Sequence, residues 1–530
     1  MFTSPYAERE IPAVTIYDYL FGGLTDEELT RVALIDPASG AETTYAALRA
    51  QVNAFAGALA ARGVSTDTVI AVLCPNVPAF ATVFHGALRA GATVTTLNSL
   101  YTAGEIEKQL RDAKATWFVT VSPLLPQASA AAEAVGIPHE RVIVLDGAHG
   151  HPNLRELLSE GAPAPEVSID PATHLAVLPY SSGTTGIPKG VMLTHTNLVA
   201  NVEQCRDVID LTRDDRVLAV LPFFHIYGMT VLLNLALQRR ASMVTMPKFD
   251  LVEFLRSIQT YQCTYLYIAP PIAVALAKHP IVDEFDISSV RTLFSGAAPL
   301  DGETAELAAR RINAHVLQGY GMSETSPAAL VIPADRPDIP ASSAGVVLAN
   351  ELVKLVDPET GDEITELGED GVTLPGELWV KGPNIMLGYL GREDATAETI
   401  DADGFLHTGD IAVYHEGGYF SIVDRLKELI KYKGYQIAPA ELEALLLSHP
   451  KVMDAAVIGV LDDDKQEIPK AFIVAAPGAE LAAEDVMAFV TEHVAPYKKV
   501  RRVEFIDAIP KSSSGKILRK DLRAREVATV

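Results

Sequence analysis

Along residues 45–62 apolar side chains recur at Leu48, Val52, Phe55 and Leu59, the spacing of one helical face, and Gly63 supplies a stop. This predicts a core-facing helix. Beyond it, short apolar runs at 68–74, 117–121, 142–145, 175–178, 217–221, 265–268 and 292–294 alternate with helical stretches, among them an Ala-rich piece at 128–134. Apolar runs of that length between helices read as strands buried on both faces, so the pattern predicts an α/β fold. From about Ala344 to Asp424 the texture changes. Strand-like segments at 352–356, 377–380 and 419–423 are separated by turn-rich pieces such as Asp357-Pro358-Glu359-Thr360-Gly361, which predicts a β-rich subdomain over about 344–424. Past Asp424 a helix opens at Pro439, a residue suited to the first helical position, and ends before Pro450. Strands at 455–460 and 471–475 and a helix near 484–494 follow. A small α+β domain over 425–530 is therefore expected behind a large domain over 1–424.

Composition narrows the classes. A chain of 530 residues, 48% apolar and 21% charged, is too long for one core and too apolar for disorder. The formal charge of −25 argues against nucleic-acid binding, which needs a basic face, so any anionic ligand must be held by local donors. No apolar run approaches the roughly 18 residues that cross a bilayer, and Met1-Phe2-Thr3-Ser4-Pro5 has neither a basic nor an apolar leader region. Stable membrane insertion is not expected, and the cytoplasm is the expected compartment. Cys74, Cys205 and Cys263 lie far apart, without metal-ligand spacing, and read as core thiols.

The strongest local signal is Tyr180-Ser181-Ser182-Gly183-Thr184-Thr185-Gly186-Ile187-Pro188-Lys189-Gly190, directly after an apolar run. A loop so dense in glycine and hydroxyls can turn backbone N–H groups and side-chain Oγ donors toward phosphate oxygens, while Lys189 adds charge. It is not a Walker A loop, because Lys189 is followed by Gly190 rather than Ser or Thr.

This segment resembles the phosphate loop of the adenylate-forming superfamily, which includes acyl-CoA synthetases, peptide-synthetase adenylation domains and beetle luciferases. In the same order the chain carries Leu221-Pro222-Phe223-Phe224-His225, Gly319-Tyr320-Gly321-Met322-Ser323-Glu324, His407-Thr408-Gly409-Asp410, Asp424-Arg425-Leu426-Lys427, Lys431-Tyr432-Lys433-Gly434-Tyr435-Gln436 and Ser514-Gly515-Lys516. Within the superfamily the resemblance is strongest to the 4-coumarate–CoA ligase branch, particularly bacterial cinnamate–CoA ligases. It implies a large domain of two α/β sheets plus the β-rich subdomain, and a mobile C-terminal domain hinged near Lys427. It also implies ATP, Mg²⁺ and coenzyme A as the small molecules used with a carboxylic acid.

The resemblance assigns roles residue by residue. Ser181, Ser182, Gly183, Thr184, Thr185 and Lys189 would bind the phosphates, with Ser323 at the α-phosphate. Gly296, Ala297, Ala298 and Pro299, together with Tyr320, would form the adenine wall, and Gly319 and Gly321 would also belong to the ATP/AMP-binding set. Asp410 is suited to accept both ribose hydroxyls, with Arg425 as a further contact. Glu324, a carboxylate after a Gly-rich turn, suits Mg²⁺. His225 would border the acyl pocket and the coenzyme A tunnel, although a histidine ending an apolar run is often a satisfied core residue. Tyr227, Phe294, Ala297, Pro327 and Ala328 match acyl-pocket positions. Lys516 would offset the repulsion between a carboxylate and the α-phosphate, with Lys431 and Gln436 assisting adenylation. Lys433 and Gly434 would meet coenzyme A after the small domain turns. The basic cluster Lys498, Lys499, Arg501 and Arg502 reads as a solvated face or a contact for coenzyme A phosphates.

Two departures bear on the acid. Plant members carry Gly-Glu-Ile-Cys-Ile-Arg-Gly where this chain has Gly376-Glu377-Leu378-Trp379-Val380-Lys381-Gly382, and Phe294 stands where many of them have lysine. A cinnamate- or coumarate-like aryl acid is expected, with medium- or long-chain fatty acids as the alternative. Loading of a carrier protein is a further alternative, although the chain holds no fused carrier domain. A luciferase-like oxidase side reaction stays open. A non-catalytic nucleotide sensor would have no use for Lys516, Glu324 and Lys433 together.

Overall fold

The computed structural model describes residues 1–181, 188–432, 435–462, 467–512 and 515–528, with 435, 436, 527 and 528 described by backbone alone. The helical stripe around Leu48 forms the helix Tyr45–Ala61, whose start is capped by the Thr44 hydroxyl accepting from Ala47 N–H. The short apolar runs become strands. Val69–Leu73, Thr93–Thr96, Trp117–Thr120, Val142–Val144 and Leu175–Val177 pair in parallel in one eight-stranded sheet, with Val142–Val144 at its edge. Arg216–Ala219, Ser242–Thr245, Tyr265–Ile268, Thr292–Ser295 and the start of His315–Gly321 do the same in a nine-stranded sheet. Strands such as Trp117–Thr120 and Tyr265–Ile268 are buried at every position, because helices cover both faces.

The β-rich region is a five-stranded antiparallel sheet. Its strand Gly376–Lys381 alternates buried and accessible positions, as expected of a sheet with one solvated face. One of its strands comes from far away: Phe2–Thr3 pairs with Leu352 and Val353, and the Phe2 ring packs against Tyr414 and Phe420. The last strand, Tyr419–Arg425, leads into the smaller C-terminal domain, where Val452–Leu461, Glu467–Ala475 and Arg502–Phe505 form a three-stranded sheet with the helices Pro439–Ser448 and Ala483–His493. The large and small domains expected from the sequence are both present. Cys74, Cys205 and Cys263 are buried free thiols. Among the described residues no helix is long and apolar enough to cross a membrane.

The core carries a pH-sensitive group. His195 is fully buried, accepts Ile16 N–H on Nδ1 (3.3 Å), and is held down to about 3 by burial first and by His174 second. An unfolded histidine titrates near 6.5, so this neutral ring contributes stability above that pH, and the contribution is lost as the pH falls toward 3. Going from pH 7 to pH 5 is expected to remove about 2 kcal/mol through this residue, because the unfolded chain takes up the proton first. Urea titrations at both pH values, on wild type and His195→Gln, check the sign and size: the decrement should shrink by that amount in the variant.

Candidate active site

The strand Tyr180–Ser181 doubles back onto Lys189–Gly190 and so forms the base of the glycine-rich loop. Ser182, Gly183, Thr184 and Thr185 lie outside the described residues. The Lys189 ammonium stands 4.6 Å from the centre of the Tyr389 ring. Tyr389 comes from a two-residue strand, Gly388–Tyr389, at the edge of the same sheet, and its hydroxyl donates to Glu324 Oε1 (2.8 Å). Ser181 Oγ donates to that same oxygen (2.9 Å). Glu324 is thus a buried carboxylate in the short turn Ser323–Thr325, beside the loop, and both partners of its Oε1 are neutral hydroxyls. Ser181 and Tyr389 leave its charge unmatched.

The preceding strand must come very close to its neighbour. A Cβ on Gly321 would lie 1.9 Å from the Pro327 carbonyl oxygen, so only glycine fits there. Tyr320, in that strand, donates its hydroxyl to Asp410 Oδ2 (2.6 Å), and Arg425 Nε lies 3.5 Å from Oδ1. Burial raises the Asp410 carboxyl, and Arg425 opposes it.

The turn before Asp410 is held by Glu377, which the plant signature shares, and by Trp379, which departs from it. Glu377 Oε1 accepts Gly409 N–H (3.0 Å) and its Oε2 accepts the Trp379 indole N–H (2.9 Å). The Trp379 ring stacks on His407 at 3.7 Å. Gly409 has φ +72°, which glycine adopts without strain. The signal for this clamp lies in strand register, Trp379 facing His407, and neither segment shows it alone.

Lys516 reaches from the small domain to a cavity lined by residues of the large one. Its backbone N–H donates to Ser512 Oγ (3.1 Å), and Ser512 N–H donates to its carbonyl (2.8 Å), which closes a tight loop. Gly515 in that loop passes so near Ala269 and Pro271 that a Cβ would sit 3.3–3.5 Å from their side chains. Lys516 therefore lines one cavity of about 50 Å³ together with His225, Tyr227, Phe294, Gly296, Ala297, Gly319, Tyr320, Gly321, Ser323, Pro327 and Ala328. Burial and the neighbouring Arg425 lower the Lys516 pKa, while Asp410 and Glu324 act the other way. His225, whose Nδ1 accepts Tyr227 N–H (3.3 Å), is held down to about 4 by burial and by Lys516. It is a neutral imidazole at neutral pH. Tyr227 donates its hydroxyl to the Phe294 carbonyl (3.0 Å).

The remaining candidates fall elsewhere. Ala298 and Pro299 continue the turn after Ala297, itself at φ +72°, and do not line the cavity. Lys431 is exposed, gives its N–H to Glu467 (2.8 Å), and lines a separate hollow with Lys427 and Glu359. The structure does not bring it to Lys516. Gln436 pairs with Lys431 by backbone, its side chain is outside the described residues, and so are Lys433 and Gly434. Of the basic cluster, Lys498 binds Glu441 (2.7 Å) and Arg501 stacks on Tyr432 at 3.9 Å, so these two serve local structure instead of forming a bare cationic face.

Residues 25–390 match the AMP-binding enzyme family and residues 441–516 match the AMP-binding enzyme C-terminal domain. The chain is 39% identical to the probable 4-coumarate–CoA ligase 1 of Dictyostelium discoideum, over 98% of this chain and 97% of that protein. It is 41% identical to 4-coumarate–CoA ligase 1 of Solanum tuberosum, over 99% and 96%. Among solved structures, ATP-bound MatB from Rhodopseudomonas palustris superposes with a TM-score of 0.87 at 31% identity, covering 96% of this chain and 98% of that one. The anthranilate CoA ligase AuaEII in complex with anthranoyl-AMP superposes with a TM-score of 0.88 at 25% identity, covering 98% and 99%. The chain belongs to the AMP-binding enzyme family and is an AMP-forming acid–thiol ligase that uses ATP and coenzyme A.

Proposed function

We propose that the acid is a cinnamate-like aryl acid lacking a 4-hydroxyl group, activated as the acyl-adenylate and passed to coenzyme A. The observation that carries this reading is the pairing of Tyr227 with the Phe294 carbonyl. That bond uses the proton of the tyrosine hydroxyl lining the pocket, and the residue beside it is an apolar phenylalanine. A ring hydroxyl entering here would lose its water and gain one acceptor at most. The relatives named for 4-coumarate and the neighbour holding anthranoyl-AMP support an aromatic acid over a fatty acid.

In the adenylation step one carboxylate oxygen attacks the α-phosphorus of ATP and pyrophosphate leaves. Lys516 and Ser323 would meet the α-phosphate, and residues 181–189 the outgoing phosphates. Gly296, Ala297 and Tyr320, which line the cavity, would meet the adenine, with Asp410 and Arg425 at the ribose. Glu324 suits Mg²⁺: magnesium takes one or two carboxylates and completes its shell with phosphate oxygens and water, and Glu324 is a buried carboxylate beside Ser181 whose Oε1 is hydrogen-bonded only by neutral hydroxyls. When bound, the ion would neutralise charge on the phosphates. Neutral His225 borders the acid without adding a second cation beside Lys516. In the second step the thiol attacks the acyl carbonyl and AMP leaves. Lys516 must then withdraw, which a domain boundary at 424/425 and rotation about Lys427 would allow, bringing Lys433 and Gly434 to the coenzyme. The net charge of −25 disfavours a nucleic-acid partner, the compartment of this reading is the cytoplasm, and coenzyme A is preferred over a carrier protein as the acyl acceptor.

The test compares kcat/KM for thioester formation from cinnamate and 4-coumarate. Wild type should prefer cinnamate, and Phe294→Lys, which places a donor beside Tyr227, should move the ratio toward 4-coumarate by about tenfold or more. Equal use of both acids by wild type, or a stronger preference for a saturated fatty acid, would overturn the reading.

A further inference from the structure

Three residues beyond Lys516, at the first position of the helix Arg519–Ala528, stands a side chain that no role above has used. The Arg519 guanidinium is largely buried, and each of its three nitrogens donates a hydrogen bond. One arm, Nη2, donates to both oxygens of Glu443 (2.7 and 2.6 Å); Nη1 donates to Glu428, and Nε donates to the Val457 carbonyl (3.2 Å). Glu443 lies on the helix Pro439–Ser448 and also accepts Val457 N–H (2.8 Å), so this side of the fork is the body of the small domain. Glu428 is different. It follows Lys427 in the segment joining the domains, and its other oxygen lies 3.9 Å from Arg425, the residue beside Asp410.

Charges therefore alternate along one line: Asp410, Arg425, Glu428, Arg519, Glu443. Only Ile517 and Leu518 separate Lys516 from this line, and both are pinned: Ile517 bridges to Lys511, and Leu518 N–H donates to the Pro510 carbonyl (2.8 Å). A flexible lysine stem on a short loop needs its base fixed, because a misplacement of about 1 Å can cost 10²-fold in rate. Buried ion pairs are a poor way to gain stability, and their best-attested use is to set register.

We propose that Arg519 is a positioning residue for adenylation, registering the Lys516 loop against the interdomain segment through Glu428. The inference rests on the reading of Lys516 given above. Lysine in place of Arg519 would keep the charge but could not span two carboxylates and a carbonyl in one plane.

The experiment uses the full chain with cinnamate as the acid, and measures two half-reactions: acid-dependent pyrophosphate release from MgATP, and thioester formation from supplied cinnamoyl-adenylate and coenzyme A. Arg519→Lys should slow the first by about tenfold or more, leave the KM for ATP within about twofold, and leave the second within about threefold. In a Lys516→Ala background the same change should cost no more than about a further twofold, because it acts through the missing side chain. Glu428→Gln, which spares the Glu443 fork, should reproduce the selective and non-additive loss in smaller size and carries the test if Arg519→Lys does not fold. Equal losses in both half-reactions, or losses that multiply in the double variant, overturn the proposal. If Lys516→Ala alone leaves pyrophosphate release intact, the reading of Lys516 falls first and this inference with it.

Discussion

Lys516→Ala is expected to slow acid-dependent pyrophosphate release by about 10²-fold or more, while transfer from supplied acyl-adenylate to coenzyme A continues at close to the wild-type rate. The magnitude is that of losing one preorganised electrostatic donor where charge develops in the transition state. Two anions, the carboxylate and the α-phosphate, must approach in a cavity lined on most sides by carbon, and Lys516 is the ammonium that lines it. Burial first and Arg425 second lower the Lys516 pKa, and Asp410 and Glu324 act against them. In the second half-reaction the attacking group is a thiol and the acyl group is already activated, so this charge is not required. Rapid-quench measurement of each half-reaction decides the matter: a parallel fall in both would mean that the residue supports the fold instead of the first step.

Glu324→Gln should lower kcat/KM for MgATP by about 10²-fold and raise the Mg²⁺ concentration needed for half-maximal rate. The substitution is a clean one. The amide oxygen can still accept from Ser181 and Tyr389, so the turn keeps both hydrogen bonds and only the charge goes. Thermal stability should therefore change little, while the magnesium dependence of the rate moves. A variant whose magnesium titration overlays that of wild type would remove Glu324 from the metal role.

Several parts of this arrangement were legible before folding because their signals are local. The glycine and hydroxyl density of residues 180–190 needs no partner to be recognised, and the runs that became Tyr265–Ile268 and Trp117–Thr120 are apolar at consecutive positions because both sheet faces are covered. Other parts depend on residues hundreds of positions apart. Phe2–Thr3 reads as an unremarkable start until it pairs with Leu352 and Val353. Tyr389 carries no local mark of its bond to Glu324, and Lys431, itself the first residue of one motif, is turned to a different hollow from Lys516.

The amino-acid sequence by itself determined the α/β alternation, the β-rich stretch, the small final domain and the kinds of side chain available for phosphate and carboxylate chemistry. All of these follow from periodicity and composition within one segment at a time. Only the tertiary structure decided which charges meet: that Ser181 and Tyr389 share one oxygen of Glu324, that Trp379 and Glu377 clamp the turn before Asp410, and that Arg519 links the Lys516 loop to Glu428. The reason is physical. Hydrogen bonds and ion pairs act over about 3–4 Å, and such distances between remote segments are set by sheet register and domain docking, not by neighbours along the chain.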